Sequence, residues 1–270
     1  MSATPATDEL LFTIDAGGIA RIVLNRPQAR NALTFAMYQG LITCCEAIAD
    51  DPTVKALIIT GAGEKAFAAG TDIAQFRDFK TADDALGYER FMDKVLGTLE
   101  RLRVPTIAAI AGACTGGGAA IAASCDLRIA TRDARFGFPI ARTLGNCLSQ
   151  GNLKRLSGLI GPARVKDIIF TARLVGAEEA LAIGLIGEMV EDRAALTKRV
   201  DTLAQLVAGH APLTMQATKE GLRRLAEEEA PDAGAAHPGD DLILMCYMSQ
   251  DFREGMEAFL GKRPPNWSGR

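Results

Sequence analysis

The feature that most constrains this fold is an alternation of short apolar runs with stretches of helical spacing. Apolar runs on either side of Gly17-Gly18, "LLFTID" and "IARIVLN", predict a β-hairpin. The remaining predicted elements of the first half are helices over 34–50 and 82–102 and strands over 54–61, 105–112 and 125–131. A unit of strand, loop, helix and strand that recurs about every 50 residues is typical of an α/β fold.

The pattern changes after about residue 195, where helical stretches follow one another without an intervening strand. "RAALTKRVDTLAQLVAGH" and "LTMQATKEGLRRLAEEE" predict two helices, residues 230–241 predict a loop, and 242–260 predict a last helix. We therefore expect an α/β core over residues 1–195 and a helical region over residues 196–270.

Composition excludes several classes of function. A net charge of −3 over 270 residues, with no basic stripe, argues against a nucleic-acid partner. No apolar run reaches the roughly 18 residues that span a bilayer, and no signal-peptide pattern opens the sequence, so we expect a cytoplasmic protein. The six cysteines show no CxxC spacing, and with only two histidines they predict buried free thiols and no metal site.

Two glycine-rich stretches invite a nucleotide-binding interpretation, and both lack the residues that it needs. "GAGEKA" (61–66) follows a strand without the third glycine of a dinucleotide-binding turn. "GACTGGGA" (112–119) has the glycine spacing of a P-loop, but Gly118-Ala119 stand where Lys-Ser/Thr would neutralise phosphate charge. Neither nucleotide hydrolysis nor hydride transfer is expected.

The glycine triplet suits a different electrostatic role. A helix N-terminus presents unpaired N–H groups, and glycines let a carbonyl group approach them closely. The N–H of Gly117 is therefore a candidate for half of an oxyanion hole. Thr71, in "KAFAAGTDI" (65–73), is a candidate for the second donor, although Thr71 and Asp72 also read as an ordinary cap of a helix "DIAQFRDF".

Taken together, these stretches resemble the enoyl-CoA hydratase/isomerase family, part of the crotonase superfamily. The segments that carry the resemblance, in chain order, are "IVLNRPQARNAL" (22–33), "ALIITGAGEKAFAAGTDI" (56–73), "RVPTIAAIAGACTGGGAAIAASCDLRIAT" (103–131), "ARFGFP" (134–139), "FTARLVGAEEALAIGLIGEMV" (170–190) and "EGMEAFLGKRPPNWSGR" (254–270). The resemblance implies a spiral of repeated ββα units and a C-terminal helical region used for trimerisation, often in a dimer of trimers. It also implies an acyl-CoA thioester as substrate, with no separate cofactor.

The same resemblance assigns site residues. The backbone N–H groups of Thr71 and Gly117 would hold the thioester carbonyl and stabilise the enolate formed from it. The residues that it places around the CoA moiety and the acyl group are Gln28, Ala29 and Arg30 near the nucleotide end, Ala69, Asp72, Ile73 and Ala74 along the pantetheine, Ala120 and Ile140 in the acyl pocket, and Phe259 and Lys262 from a neighbouring subunit.

The sequence departs from the hydratases of this family at two positions. The resemblance implies a glutamate two residues after the glycine triplet and another after the Phe-Gly-x-Pro motif, and here these are Ala120 and Ile140. Residues 141–152 carry no carboxylate. Cys147 is a weak candidate nucleophile and is expected to be packed, and Glu89 and Asp93 in the 82–102 helix are expected to be solvated at the surface.

Three functions stay open at this point. The first is an acyl-CoA lyase or isomerase with relocated acid–base residues. The second is an acyl-CoA decarboxylase, which needs only the oxyanion hole because loss of CO₂ leaves an enolate directly. The third is an acyl-CoA-binding protein without catalysis. Ala120 and Ile140 weigh against ordinary crotonyl-CoA hydration, because each missing acid–base group typically costs about 10²- to 10⁴-fold in rate.

Overall fold

Ten strands form two sheets in the part of the chain that the computed structural model describes, residues 8–227 and 240–270. The larger sheet has the order β1 (Leu10–Ile14), β2 (Ile19–Leu24), β3 (Ala56–Gly61), β5 (Thr106–Ile110), β7 (Leu127–Thr131) and β10 (Glu188–Val190). The smaller sheet has the order β4 (Ala66–Ala69), β6 (Ala113–Thr115), β8 (Arg135–Gly137) and β9 (Val175–Gly176). The pairs β1–β2 and β8–β9 are antiparallel, and the other neighbours run parallel.

The chain passes repeatedly from the larger sheet to the smaller one. Each of β3, β5 and β7 lies in the larger sheet, and the strand that follows it lies in the smaller sheet. The helices that come next are α2 (Ala82–Glu100), α3 (Gly117–Ser124) and α4 (Ile140–Thr143). This arrangement confirms the α/β fold and the repeated ββα units expected from the resemblance.

The other helices are α1 (Phe35–Asp50), α5 (Gln150–Ile160), α6 (Pro162–Thr171), α7 (Ala177–Ala182), α8 (Arg193–Ala208), α9 (Pro212–Glu227), α10 (Asp240–Tyr247) and α11 (Gln250–Leu260). The predicted β1–β2 hairpin and the predicted helix over 34–50 are both confirmed, with Thr34 accepting the N–H of Met37 at 3.2 Å as the cap of α1. No helix among the described residues is long and apolar enough to cross a membrane.

Helix α8 packs on the face of the larger sheet that is turned away from the main core. Its apolar face, formed by Leu196, Val200 and Ala204, joins Ile58 and Ile107 in a separate buried cluster. The domain boundary predicted after residue 195 therefore falls inside a helix that is part of the core packing.

The helix predicted over residues 242–260 is interrupted. α10 ends at Tyr247, and Ser249 takes an extended conformation and accepts the N–H of Phe252 at 2.9 Å, which starts α11. Because a serine cap competes with the helical backbone, it divides the apolar pattern into two helices. The loop predicted over 230–241 lies largely outside the described residues.

The predicted helix "DIAQFRDF" is also wrong in length. Only Ile73–Phe76 form a short 3₁₀ turn, whose cap Asp72 accepts the N–H of Ala74 at 3.1 Å. The chain becomes helical again at α2, where Thr81 and Asp84 form a reciprocal capping box.

Candidate active site

Two glycine turns meet at the ends of neighbouring strands of the smaller sheet. β4 and β6 pair in parallel with Ala69 opposite Thr115, and Thr71 and Gly117 each lie two residues beyond that pair. A Cβ added to Gly116, whose φ is +51°, would lie 3.3 Å from the Cα of Gly70. The absence of side chains at these glycines therefore lets the two turns approach each other.

The N–H groups of Thr71 and Gly117 have no acceptor among the residues that the structure describes. The bonds on either side of Thr71 run between Leu33 N–H and the Gly70 carbonyl and between Asp72 N–H and the Leu33 carbonyl, both at 2.8 Å. Gly117 is the first residue of α3, where N–H groups lack an intrahelical partner. Both N–H groups belong to residues that line one cleft, so they are available to an acceptor that enters it.

Gly117 is also required by the side chains beneath it. A Cβ at this position would lie 2.0 Å from the hydroxyl oxygen of Tyr38 and 3.2 Å from Oγ1 of Thr71. Tyr38 comes from α1, is fully buried, and its hydroxyl lies 2.8 Å from Thr71 Oγ1. The glycine therefore gives space to a hydroxyl that holds Thr71 in place.

The hydroxyl of Thr71 connects two tyrosines. Besides the bond to Tyr38, Thr71 Oγ1 lies 3.1 Å from the hydroxyl of Tyr88 on α2. Burial raises the pKa of both phenols, so both keep their protons. Since the buried Tyr38 proton needs an acceptor, the Tyr38 hydroxyl donates to Thr71 Oγ1, and either hydroxyl can donate in the bond between Thr71 and Tyr88.

Aromatic packing fixes the position of Tyr88. Its ring centroid lies 4.9 Å from that of Phe76, 5.8 Å from that of Phe35 and 6.2 Å from that of Phe79. Phe76 and Tyr88 both line the cleft, so this cluster forms one rigid wall of it.

The cleft has an empty volume of about 890 Å³, including its open mouth. Of the predicted substrate residues, Ala69, Ile73, Ala120 and Ile140 line it together with Thr71 and Gly117. Ala120 is 4% exposed and Ile140 is 8% exposed. The wall contributed by α3 and α4 is thus apolar at both of the positions singled out in the sequence.

Glu89 on α2 also lines the cleft, which corrects the expectation that it is a solvated surface residue. It is half-buried on α2, next to Tyr88 and three residues before the buried Met92. Burial raises the pKa of the Glu89 carboxyl, and the charge of Asp93 raises it further. The expected solvated position holds for Asp93, which is exposed and accepts the hydroxyl of Ser149 at 2.9 Å.

Four of the six cysteines are buried thiols, Cys246 is half-buried, and Cys147 is exposed. Cys44, Cys45, Cys114 and Cys125 are buried as predicted. Cys147 is exposed and lines the cleft, so the expectation of a packed thiol at this position is wrong. It lies in the irregular segment between α4 and α5, where no regular helix or sheet covers it.

The predicted CoA-contacting residues of the "NRPQARNAL" loop do not line the cleft, but the loop is hydrogen-bonded to β4, which leads into it. Gln28 and Arg30 are exposed and Ala29 is half-buried, in a 3₁₀ turn over Pro27–Ala29. The Arg30 carbonyl accepts the N–H of Ala69 at 3.0 Å. The fully buried Asn31 donates its amide group to the carbonyls of Ala62 and Ala66 at 2.9 and 2.8 Å. The loop is therefore fixed beside β4.

Asp72 and Ala74 also lie outside the cleft lining. The Asp72 carboxylate forms an ion pair with Arg26 at 3.0 Å in addition to capping the 3₁₀ turn. Ala74 is exposed on that turn. Their predicted contact with a pantetheine chain stays a prediction.

Phe259 and Lys262 lie at the end of α11 and just beyond it, and neither lines the cleft of its own chain. The Phe259 side chain is 84% exposed. Other apolar side chains exposed on α11 are Phe252, Met256 and Leu260. The C-terminal helix thus presents an apolar surface that the described part of its own chain leaves exposed.

Comparison with known proteins agrees with the sequence resemblance. The family model described as enoyl-CoA hydratase/isomerase matches residues 15–270. Similar proteins are the short-chain-enoyl-CoA hydratase of Clostridium acetobutylicum (36% identical, covering 92% of this chain and 93% of that protein) and the crotonyl-CoA hydratase of Syntrophomonas wolfei (35%, covering 92% and 94%). The crystal structure of an enoyl-CoA hydratase/carnithine racemase from Magnetospirillum magneticum superposes with a TM-score of 0.90 at 33% identity, covering 98% of this chain and 97% of that one.

Proposed function

The chain belongs to the enoyl-CoA hydratase/isomerase family and is an acyl-CoA-binding enzyme, and from this premise we propose that it activates a thioester for chemistry at the neighbouring carbon. In this proposal the thioester carbonyl oxygen accepts the N–H groups of Thr71 and Gly117. The observation that carries it is the pair of N–H groups without an acceptor on adjoining turns of one cleft.

Two main-chain donors are well suited to this task. Negative charge develops on the thioester oxygen when an enolate forms, and fixed donors stabilise that charge without reorganisation during the reaction. One donor of this kind is typically worth about 3 kcal/mol of transition-state stabilisation. The N-terminal end of α3 adds the positive end of its dipole at the same place.

We further propose that the enzyme is a lyase or isomerase that catalyses the addition of water to crotonyl-CoA only slowly. Ala120 and Ile140 offer no group that could hold or activate a water molecule. The surrounding walls carry Phe76, Met92 and Phe138, which favour an apolar or aromatic acyl group.

Decarboxylation of a malonyl-type thioester is a second candidate reaction. The apolar α3–α4 wall favours it, because loss of CO₂ gives the enolate without removal of a proton by that wall. Release of CO₂ from malonyl-CoA or methylmalonyl-CoA would support this reaction, and proton exchange without CO₂ release would favour the isomerase.

We also propose that the CoA moiety lies along the "NRPQARNAL" loop and that the assembly is a trimer or a dimer of trimers. Gln28, Ala29 and Arg30 would face the nucleotide end, where a guanidinium can bind phosphate. Phe259 and Lys262 would close over the CoA of a neighbouring subunit. The exposed apolar surface of α11 supports this assembly.

Titration calorimetry tests the binding proposal, with acetyl-CoA, crotonyl-CoA and longer acyl-CoA thioesters against the corresponding free acids as controls. We expect saturation at micromolar to millimolar thioester and none with the acids. Hydration of crotonyl-CoA, followed by loss of enoyl absorbance, should be several orders of magnitude slower than in an ordinary hydratase. Absence of binding to every thioester of the panel would overturn the proposal.

A further inference from the structure

The cleft has a carboxylate on only one of its walls. Of the cleft-lining residues that the structure describes, Glu89 is the one that carries a carboxyl group. It belongs to α2, whereas the two positions at which hydration chemistry would need acids, Ala120 and Ile140, belong to α3 and α4. Among the cleft-lining residues that the structure describes, a carboxylate base can therefore come only from the α2 wall.

Glu89 lines the same cleft as the proposed carbonyl site. Its neighbour Tyr88 bonds directly to the side chain of Thr71. On the other side, Met92 is buried one helical turn further along α2, so residues 88, 89 and 92 lie on the helix face that is turned towards the cleft. Because the Tyr88 ring is held by Phe35, Phe76 and Phe79, this part of α2 is fixed relative to Thr71.

The Glu89 carboxylate is also free. It has no hydrogen bond and no ion pair with any residue in the ranges 8–227 and 240–270. The carboxylate is therefore available to a group that enters the cleft.

The titratable groups around Glu89 come from two elements. Tyr88 and Asp93 lie on α2 itself, and Cys147 faces the same cleft from the segment between α4 and α5. No positively charged side chain lines the cleft among the described residues. Partial burial and the Asp93 charge raise the Glu89 pKa above its ordinary value. A carboxylate with a raised pKa is a stronger base than an ordinary one.

We infer that Glu89 is the catalytic residue that moves the proton at the carbon next to the thioester carbonyl. This inference rests on the proposed binding of the carbonyl by Thr71 and Gly117. The C–H bond at the α carbon breaks, its proton passes to a Glu89 carboxylate oxygen, and its electron pair forms the C=C bond of an enolate. The carbonyl π electrons move to the oxygen that the two N–H groups hold.

The return step completes the balance. Return of the proton to the α carbon regenerates the substrate, and its delivery to the γ carbon of a 3-enoyl thioester gives the 2-enoyl isomer. No oxidant, reductant or other reactant is consumed. One base on one wall is enough for either outcome, whereas hydration also needs a held water molecule.

Exchange of the α protons of butyryl-CoA in D₂O, followed by ¹H NMR, tests the inference without assuming the complete reaction. We expect the wild-type protein to catalyse deuterium incorporation and Glu89→Gln to lower the rate by about 100-fold or more. Calorimetry should give affinities for butyryl-CoA that differ by no more than a few-fold between the wild type and Glu89→Gln. Glu46→Gln, at an exposed position on α1, is the matched control and should exchange at the wild-type rate. Glu89→Asp keeps a carboxylate and should restore part of the rate.

The pH profile separates catalysis from a structural role. Exchange needs the ionised carboxylate, so its rate should rise with pH through the raised pKa of Glu89. Asp93→Asn removes the charge that helps to raise this pKa, and the midpoint of the profile should move to lower pH with an unchanged plateau.

The possible failures are distinct. If butyryl-CoA binds and the wild-type protein exchanges no protons, or Glu89→Gln exchanges them at the wild-type rate, the assignment of Glu89 is overturned while the thioester site stands. If neither butyryl-CoA nor any other thioester binds, the proposed function fails, and the role of Glu89 fails with it.

Discussion

Substitution of Gly117 by alanine is a sharp test of how the proposed oxyanion site is built. The new Cβ would lie 2.0 Å from the Tyr38 hydroxyl oxygen. To reach an ordinary separation of roughly 3.5 Å, one of the two atoms must move by about 1.5 Å. Tyr38 is fully buried, so its ring has no open space to enter, and the turn that carries the Gly117 N–H must move instead.

Two effects of known size should follow from this displacement. Overpacking of a well-filled core costs about 1–3 kcal/mol in the free energy of unfolding. Misplacement of one oxyanion donor lowers the rate by about 10²- to 10³-fold. We therefore expect Gly117→Ala to be measurably less stable in urea unfolding and to lose at least about 100-fold in α-proton exchange.

A second substitution should relieve the clash. Tyr38→Phe removes the hydroxyl and leaves the ring carbon at 3.3 Å as the nearest Tyr38 atom to the new Cβ. On its own it should cost about 1 kcal/mol, because the bond to Thr71 is lost. The double variant should then be about as stable as Tyr38→Phe alone. Its loss in the free energy of unfolding should therefore be well below the sum of the losses in the two single variants.

Gly158→Ala is the matched control, because a Cβ at this position on α5 meets no atom within 4 Å. It should stabilise the chain by about 0.4–1 kcal/mol through the unfolded state and leave exchange unchanged. Two results would refute the packing argument. One is a Gly117→Ala variant as stable and active as the wild type, and the other is a double variant that shows the full sum of both losses.

Two further predictions follow from the site and from the C-terminal surface. Ala120→Glu combined with Ile140→Glu should raise the rate of crotonyl-CoA hydration well above that of the wild type. Neither change alone should suffice, because the two acids would share one water molecule. The double variant should also unfold at a lower urea concentration, since carboxylates are costly in an apolar wall. Light scattering should give a mass of three or six times the 28.6 kDa of one chain, and a mass of one chain at micromolar concentration would contradict the assembly role proposed for the surface around Phe259.

The sequence predicts the fold better than it predicts the site. The alternation of apolar runs and helical spacing identifies β2, β3, β5 and β7 and the helices between them, because these elements are buried and strongly periodic. The interruption at Ser249 is missed because a single capping residue outweighs a long apolar pattern. The glycines indicate room for a ligand at the main chain, whereas the close approach of the turns at Gly70 and Gly116 comes only from the structure.

The walls of the cleft are harder to predict, because they depend on contacts between distant segments. Tyr38 and Thr71 are bonded across 33 positions of the chain, and nothing in the sequence near either residue indicates the contact. Glu89 does leave a signal, since residues 89, 92 and 96 follow the spacing of one helix face and Met92 and Leu96 are buried. The charge of Glu89 suggests solvent exposure, whereas its position on that face indicates the cleft. Cys147 follows no periodic pattern, so its exposure could only come from the structure.

The pairing of β4 with β6 has an evolutionary consequence. The proposed donors at Thr71 and Gly117 are main-chain groups that follow the paired ends of β4 and β6, so a substitution on a wall of the cleft does not remove them. The surrounding walls come from α2, α3, α4 and the segment that follows α4, which lie far apart in the gene. Under the proposed role of these two N–H groups, a lineage can replace an acid on one wall and acquire a base on another by independent point mutations, each step starting from a protein that keeps both donors. The main-chain donors are thus kept by the fold, whereas the side chains on the walls of the cleft can change during evolution.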